Sequence, residues 1–199
     1  RNISNKIKYP FDSTRQIYLP YDNFNNQKTN NSFAPMMIFP IKKITNNNLV
    51  YNMITHYEPQ LDLEYSSTSY ATFGTIHSGL GNKDTAWKLF RSYQLIWQDG
   101  SFQTWFKHPD KKETNYYLPA AGSFLQQIIF GFVGIHFDIS GIYLNPSMPT
   151  DWDTIELKNV AFGSGIYHIF IQKGDVAKIE LIDGVADVPI YNQFAYRLN

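Results

Sequence analysis

The sequence predicts an α+β chain in which helices come first and an antiparallel β layer follows, with the change at about Gly134. Three observations carry that expectation. Between Pro119 and Phe162 the apolar spacing passes from threes and fours to extended runs within a few residues. Upstream, two segments with helical apolar spacing flank the glycine turn Gly79-Leu80-Gly81-Asn82. Downstream, short apolar runs alternate with Gly, Asp, Asn and Pro turn residues.

Residues 1–48 are rich in Asn, Pro and Tyr and read as ordered loop, with Tyr9-Pro10-Phe11-Asp12 and Leu19-Pro20-Tyr21-Asp22 extended and then turning after proline. Phe33 to Ile41 is either a short helix or an extended segment, interrupted by Pro35 and Pro40. Leu49 to His56 reads as helix, stopped by Pro59. Ser66 to Ser78 sets Tyr70, Phe73, Ile76 and His77 at helical spacing behind a Ser/Thr cluster that offers N-caps. Lys83 to Trp97 is amphipathic, with Ala86, Leu89, Phe90, Tyr93 and Trp97 inward and Lys83, Lys88 and Arg91 outward, so the pair predicts an αα-hairpin. Gln98 to Leu118 reads as an aromatic and polar loop. The next helix aligns Ala120, Ala121, Phe124, Leu125, Ile128, Ile129 and Phe132 on one face. Each large member contributes roughly 1.5–3 kcal/mol when buried. Gly131 and Gly134 sit where this helix should end. Three helices around a long, chemically rich loop predict part of an α/α toroid or bundle whose loops line a site.

The expected strands are Ile135 to Asp138, Gly141 to Leu144, Thr154 to Phe162, Gly165 to Lys173 and Val176 to Ile182. Alternation in Ile166 to Ile171 is imperfect, which predicts that both faces of that strand are partly covered. A small antiparallel β-sandwich docked on the helices accommodates these strands, with Asp151-Trp152-Asp153 anchoring it to them.

Composition narrows the function. Aromatic residues make up 17% of the chain, ample for a real core, while seventeen basic and seventeen acidic residues give a net charge of zero. Without a basic run, nucleic acid is not an expected partner. The longest apolar run, Ile128 to Ile135, falls far short of the ~20 residues that span a bilayer, so no membrane association is expected. Cysteine is absent, which removes disulfides and thiolate chemistry. The chain opens on Arg1 without a leader and reads as a piece of a longer polypeptide. Asn2-Ile3-Ser4 and Asn30-Asn31-Ser32 fit the glycosylation sequon, a hint of a secreted or lysosomal or vacuolar route.

Ala121-Gly122-Ser123-Phe124-Leu125-Gln126, then Gly131-Phe132-Val133-Gly134-Ile135, Leu144-Asn145-Pro146, Met148-Pro149 and Trp152 together resemble the C-terminal part of glycoside hydrolase family 65. That family takes in acid trehalases, glucosylgalactosyl-hydroxylysine glucosidases and disaccharide phosphorylases such as maltose phosphorylase. Tyr9-Pro10-Phe11-Asp12, Tyr57-Glu58-Pro59 with Ser66-Ser67, and Trp105 agree with the placement, which covers about residues 6–180. The resemblance implies the last helices of an (α/α)6 toroid over residues 1–134 and a small β-sandwich domain over 135–199. It places the general acid in a region upstream, so the rest of a longer chain is an expected partner and the piece alone is expected to be inactive. The implied activity is hydrolysis of an α-glucosidic bond in a trehalose-like disaccharide or a glucosylated protein. The implied substrate is a carbohydrate, and no cofactor is implied.

Departures from the family pattern fall at its chemistry. An inverting glycosidase needs a second carboxylate to activate water. The position that carries it, two residues after Trp105, is Lys107, which stays protonated unless heavily desolvated. Asn30 and Asn31 lie near where the family has a sugar-binding Lys-Gln pair, and Tyr117 matches the histidine with which phosphorylases hold phosphate. Trp105, Lys107 and His108 form the candidate sugar-binding constellation, with Ser66 and Ser67 beside them. Glu113 is the candidate catalytic carboxylate, reached by a shift along the loop. Glu58, Asp62 and Glu64 are a further paired-carboxylate possibility against a plain acidic surface near a helix N-terminus. His77, His136 and His168 lack metal-pair spacing and read as packed or hydrogen-bonded. Phosphorolysis and a catalytically degenerate carbohydrate-binding relative are the rival functions.

Overall fold

A computed structural model describes residues 8–24, 35, 38, 46–60, 67–92, 117–138, 141–174 and 176–192, with backbone alone at 47, 67, 138, 176 and 192. Near its start the chain makes a small hairpin that proline-rich text had concealed. Strands β1 (Phe11–Asp12) and β2 (Ile17–Tyr18) pair antiparallel, with Phe11 opposite Tyr18. Asp12 Oδ1 accepts from the backbone N–H groups of Thr14 at 2.9 Å and Arg15 at 3.0 Å, folding the turn over its own carboxylate. Gln16 then takes φ 55°, a left-handed position, before the chain re-extends.

Helix α1 (Asn47–Tyr57) begins where Asn46 Oδ1 accepts from the N–H groups of Asn48 and Leu49 at 2.9 and 3.3 Å. It passes into a 3-10 turn, Glu58–Gln60, that accommodates Pro59. The hairpin lies on this helix. Ile17, Phe24, Val50, Met53, Ile54, Tyr57, Phe73 and Ile76 share one buried cluster, and the Tyr57 hydroxyl donates to the Tyr18 carbonyl at 2.8 Å. Burial pushes the Tyr57 phenol up to about 12, since the neutral form is the one the core accepts. The unfolded phenol titrates near 10. Stability from the neutral hydroxyl is therefore complete below pH about 10 and lost as pH rises through about 12. Tyr57→Phe should abolish that alkaline loss while costing about 1–2 kcal/mol at neutral pH, read from urea midpoints across the range.

Helices α2 (Ser67–Gly79) and α3 (Lys83–Ser92) form the expected αα-hairpin. Gly81, at φ 77°, closes α2: Gly81 N–H donates to Ser78 O at 3.0 Å and Asn82 N–H to His77 O at 2.9 Å. Tyr70, Phe73, Ile76 and His77 are all buried, as their spacing predicts. Ala86 and Phe90 are buried on α3 with Leu89 half-buried, while Tyr93 and Trp97 lie outside the described residues, as does most of 33–41.

The fourth helix departs from its periodicity. Helix α4 (Leu118–Gln126) passes at Gln127 into a π-helical segment, Gln127–Phe132, closed by Val133 N–H donating to Ile128 O at 2.9 Å. Through the wider turn Ile128, Ile129 and Phe132 of the expected face still pack inward, Phe132 fully buried, while two other residues depart from it. Leu125, expected inward, is 54% exposed, and Gln127, absent from the expected face, is fully buried. Gln127 Nε2 donates to Ala86 O at 2.9 Å, tying the π segment to α3. On α2, Gly74 faces this amide so closely that a Cβ would overlap it. Gly74→Ala should cost about 2 kcal/mol despite alanine's better helix propensity. Adding Gln127→Ala should recover part of that cost in a double-mutant cycle, and strictly additive losses would contradict the contact.

After Gly134 two three-stranded sheets follow. β3 (Ile135–Asp138) and β4 (Gly141–Leu144) form an antiparallel hairpin, and β5 (Thr154–Phe162), β6 (Gly165–Gln172) and β7 (Val176–Gly184) a meander. The buried face of β6 carries Tyr167, Ile169 and Ile171 while Ile166, His168 and Phe170 are half-buried, so both faces are covered as expected. In β5 a bulge places Lys158 and Asn159 opposite His168, with Asn159 at φ 57°. One pairing breaks the purely antiparallel expectation: β8 (Ile190–Asn192), not foreseen, joins β4 in parallel.

A second buried cluster unites α3, the π segment and both sheets: Ala86, Phe90, Phe132, Val133, Ile135, Ile142, Leu144, Met148, Ile155, Ile169 and Ile171. Trp152 packs its ring 5.6, 5.8 and 5.4 Å from those of Trp87, Phe90 and Phe132. Trp87 Nε1 donates to Asp151 Oδ2 at 2.8 Å. The segment around Trp152 thus fastens the sheets to α3, and its partner Trp87 is a residue the amphipathic pattern had not placed inward.

Candidate functional site

Tyr70 and Ala71 from the start of α2 share a small apolar cluster with Ala120 from the start of α4, flanked by Leu89 near the end of α3, Tyr117 and Phe124. The N-terminal ends of α2 and α4 and the C-terminal end of α3 therefore lie side by side. Residues 61–66 and 93–116 join the described helices at these ends.

Trp105, Lys107, His108, Glu113 and Ser66 lie outside the described residues, as do Asn30, Asn31, Asp62 and Glu64. Ser67 is described in its backbone and opens α2. Tyr117 is half-buried, packs against the cluster and precedes α4 as its N-cap residue without a side-chain capping bond.

Glu58 has a definite role, and it differs from an acid beside a helix N-terminus. Both carboxylate oxygens lie 3.0 Å from His77 Nε2, at the C-terminal end of α2. Asn82 Nδ2 is 3.2 Å from His77 Nδ1, so the buried imidazole is held on both nitrogens. This chain of Glu, His and Asn ends on an amide with no nucleophile, and it locks the 3-10 turn to the α2–α3 turn. His56, four residues before Gln60, has its pKa lowered, first by burial and then by the Arg15 charge. On the sheet, Lys158 Nζ lies 3.1 Å from Glu156 and its hydrogen bond holds that carboxyl below its usual range, with His168 Nε2 at 2.8 Å adding to it. Among the described residues no group of three or more His, Asp or Glu side chains could hold a metal ion. No described helix is long and apolar enough to cross a membrane.

No protein-family model matches the chain. It is similar to protein-glucosylgalactosylhydroxylysine glucosidases from Gallus gallus, 23% identical over 159 residues, and Danio rerio, 24% identical over 163 residues. These matches take in 79% and 81% of this chain but 22% and 25% of the relatives, so the chain spans about a quarter of their length or less. The enzyme of the same name from Dictyostelium discoideum matches at 21% identity over 84% of this chain. Among solved structures, one from the human microbiome named as an inferred kojibiose phosphorylase superimposes with a TM-score of 0.69. That superposition takes in 96% of this chain and 29% of the other at 14% identity, which establishes a shared fold.

Proposed function

We propose that this chain, which resembles the C-terminal part of glycoside hydrolase family 65 enzymes and is a relative of carbohydrate-active glycosidases and phosphorylases, closes the active site of a longer α-glucosidic-bond hydrolase. In this reading residues 1–134 supply the last helices of an (α/α)6 toroid and residues 135–199 a small β-sandwich domain. The observation that carries it is the match of about four-fifths of the chain to glucosidases that share one name in three organisms. The gathering of the α2, α3 and α4 ends supports it physically, because one cluster fixes the bases from which residues 61–66 and 93–116 depart. Trp105, Lys107, His108, Ser66 and Ser67 would then face a carbohydrate substrate, with Glu113 as the carboxylate in the place of the base.

The test is glucose release by the complete protein from trehalose and from a glucosylgalactosylhydroxylysine peptide, with and without inorganic phosphate. Phosphate-independent release that falls in Glu113→Gln upholds the reading. Strict phosphate dependence assigns phosphorolysis instead. A second reading rests on Lys107: with lysine at the position of the family's base, the complete protein would bind saccharide in calorimetry and release no glucose.

A further inference from the structure

Between the β1–β2 hairpin and the N-terminal half of α1 runs a cleft of about 480 Å³, lined by Phe11, Gln16, Tyr18, Asn46, Asn48, Leu49 and Asn52. Its volume falls in the roughly 300–1,000 Å³ range of small-molecule sites. Its chemistry is unusually uniform. Two aromatic rings and one leucine supply apolar faces, four side-chain amides supply donors and acceptors, and none of the described lining residues carries a charge at neutral pH.

The walls are fixed by the fold. Tyr18 is pinned through its carbonyl to the Tyr57 hydroxyl at 2.8 Å and through its N–H to Met53 Sδ at 3.1 Å. Asn52 Nδ2 reaches the Gln16 carbonyl at 3.4 Å across the cleft, and Gln16 Nε2 donates to Ser13 O at 2.8 Å. The Phe11 ring meets that of Tyr18 edge-on at 5.0 Å and is 41% exposed, so one face remains toward solvent. Asn48 and Asn52, one helical turn apart, present exposed amides on the same face of α1. Gln16 is held in a left-handed conformation, unusual for a non-glycine residue, and its amide lines the cleft.

From this arrangement we infer that the cleft binds a neutral saccharide, the exposed Phe11 ring taking the C–H face of a pyranose, Tyr18 flanking it, and Gln16, Asn48 and Asn52 bonding its hydroxyls. An anionic ligand would need a cation in the wall, and the described lining residues supply none. A purely apolar ligand would make no use of the donors and acceptors that the exposed Asn48 and Asn52 amides hold toward the cleft. Saccharide binding here does not depend on whether the complete protein hydrolyses anything.

Calorimetry of the complete protein tests it, with kojibiose, trehalose and maltose as probes and inorganic phosphate as the anionic control. Expected is a saccharide isotherm whose affinity falls about fivefold in Phe11→Ala and is kept in Phe11→Trp. Should Phe11→Ala fail to fold, judged by its circular dichroism, the paired change Asn48→Ala with Asn52→Ala takes its place and should weaken binding likewise. An isotherm that phosphate displaces, one identical in wild type and variants, or no saccharide isotherm at all overturns the assignment. Glucose release is a separate readout. Phe11-dependent binding without release leaves the cleft standing and removes the hydrolase reading, and release without Phe11-dependent binding does the reverse.

Discussion

Gly134→Ala should destabilise the protein by about 3–4 kcal/mol, among the heaviest single losses available in this chain. Two physical terms add. Gly134 sits at φ 71°, and a Cβ built there would run into the Asn145 carbonyl. That carbonyl cannot move aside, because the strands are laced beyond their formal ends: Asn145 N–H donates to Gly134 O and Ser147 N–H to Phe132 O, each at 2.9 Å. Gly174, at φ 92° with open space around it, isolates the first term. Gly174→Ala should cost only about 1–2 kcal/mol. Guanidinium midpoints for the two variants decide the matter, and equal losses would show that the close approach at Gly134 has no energetic weight.

Phe132→Ala should cost about 3–5 kcal/mol. The ring is fully buried and lies 5.1 Å from Phe90 and 5.4 Å from Trp152. Losing it opens a hole where α3, the π segment and the sheets all meet. Phe132→Leu keeps most of the volume and should cost about 1–1.5 kcal/mol. Thermal melts followed by tryptophan emission suit this test, since Trp87 and Trp152 line the hole. A Phe132→Ala variant melting within a degree or two of wild type would mean that helices and sheets do not depend on this contact.

Elements bounded by turn chemistry were legible in the sequence. Thr154 to Phe162, Ile135 to Asp138 and Gly141 to Leu144 begin and end where their glycines and prolines place them. The α2–α3 turn followed from Gly79 and Gly81 for the same reason. What escaped was structure without a local signal. The π segment is announced only by one amide, Gln127, out of phase among apolar neighbours, and helical counting assigns such a residue outward. β8 has three residues after a proline, too few for a pattern, and it exists because β4 offers it an edge. The candidate site was legible through family resemblance alone. Its key positions, Trp105 to Glu113, lie outside the described residues, so the helix ends around them are what geometry adds. The cleft residues were invisible for another reason. Gln16, Asn48 and Asn52 are ordinary surface amides until a hairpin and a helix bring them face to face.

The short parallel strand has a bearing on solubility. β4 is hydrogen-bonded on one side to β3 and on the other to β8, with Ile142 N–H donating to the Pro189 carbonyl at 2.9 Å just before β8 begins. Those three residues act as a stopper on an otherwise open ladder. If they were peeled away, the bare rim of an apolar strand would be available to the same strand of a neighbouring molecule, and self-association by strand exchange would compete with the native fold.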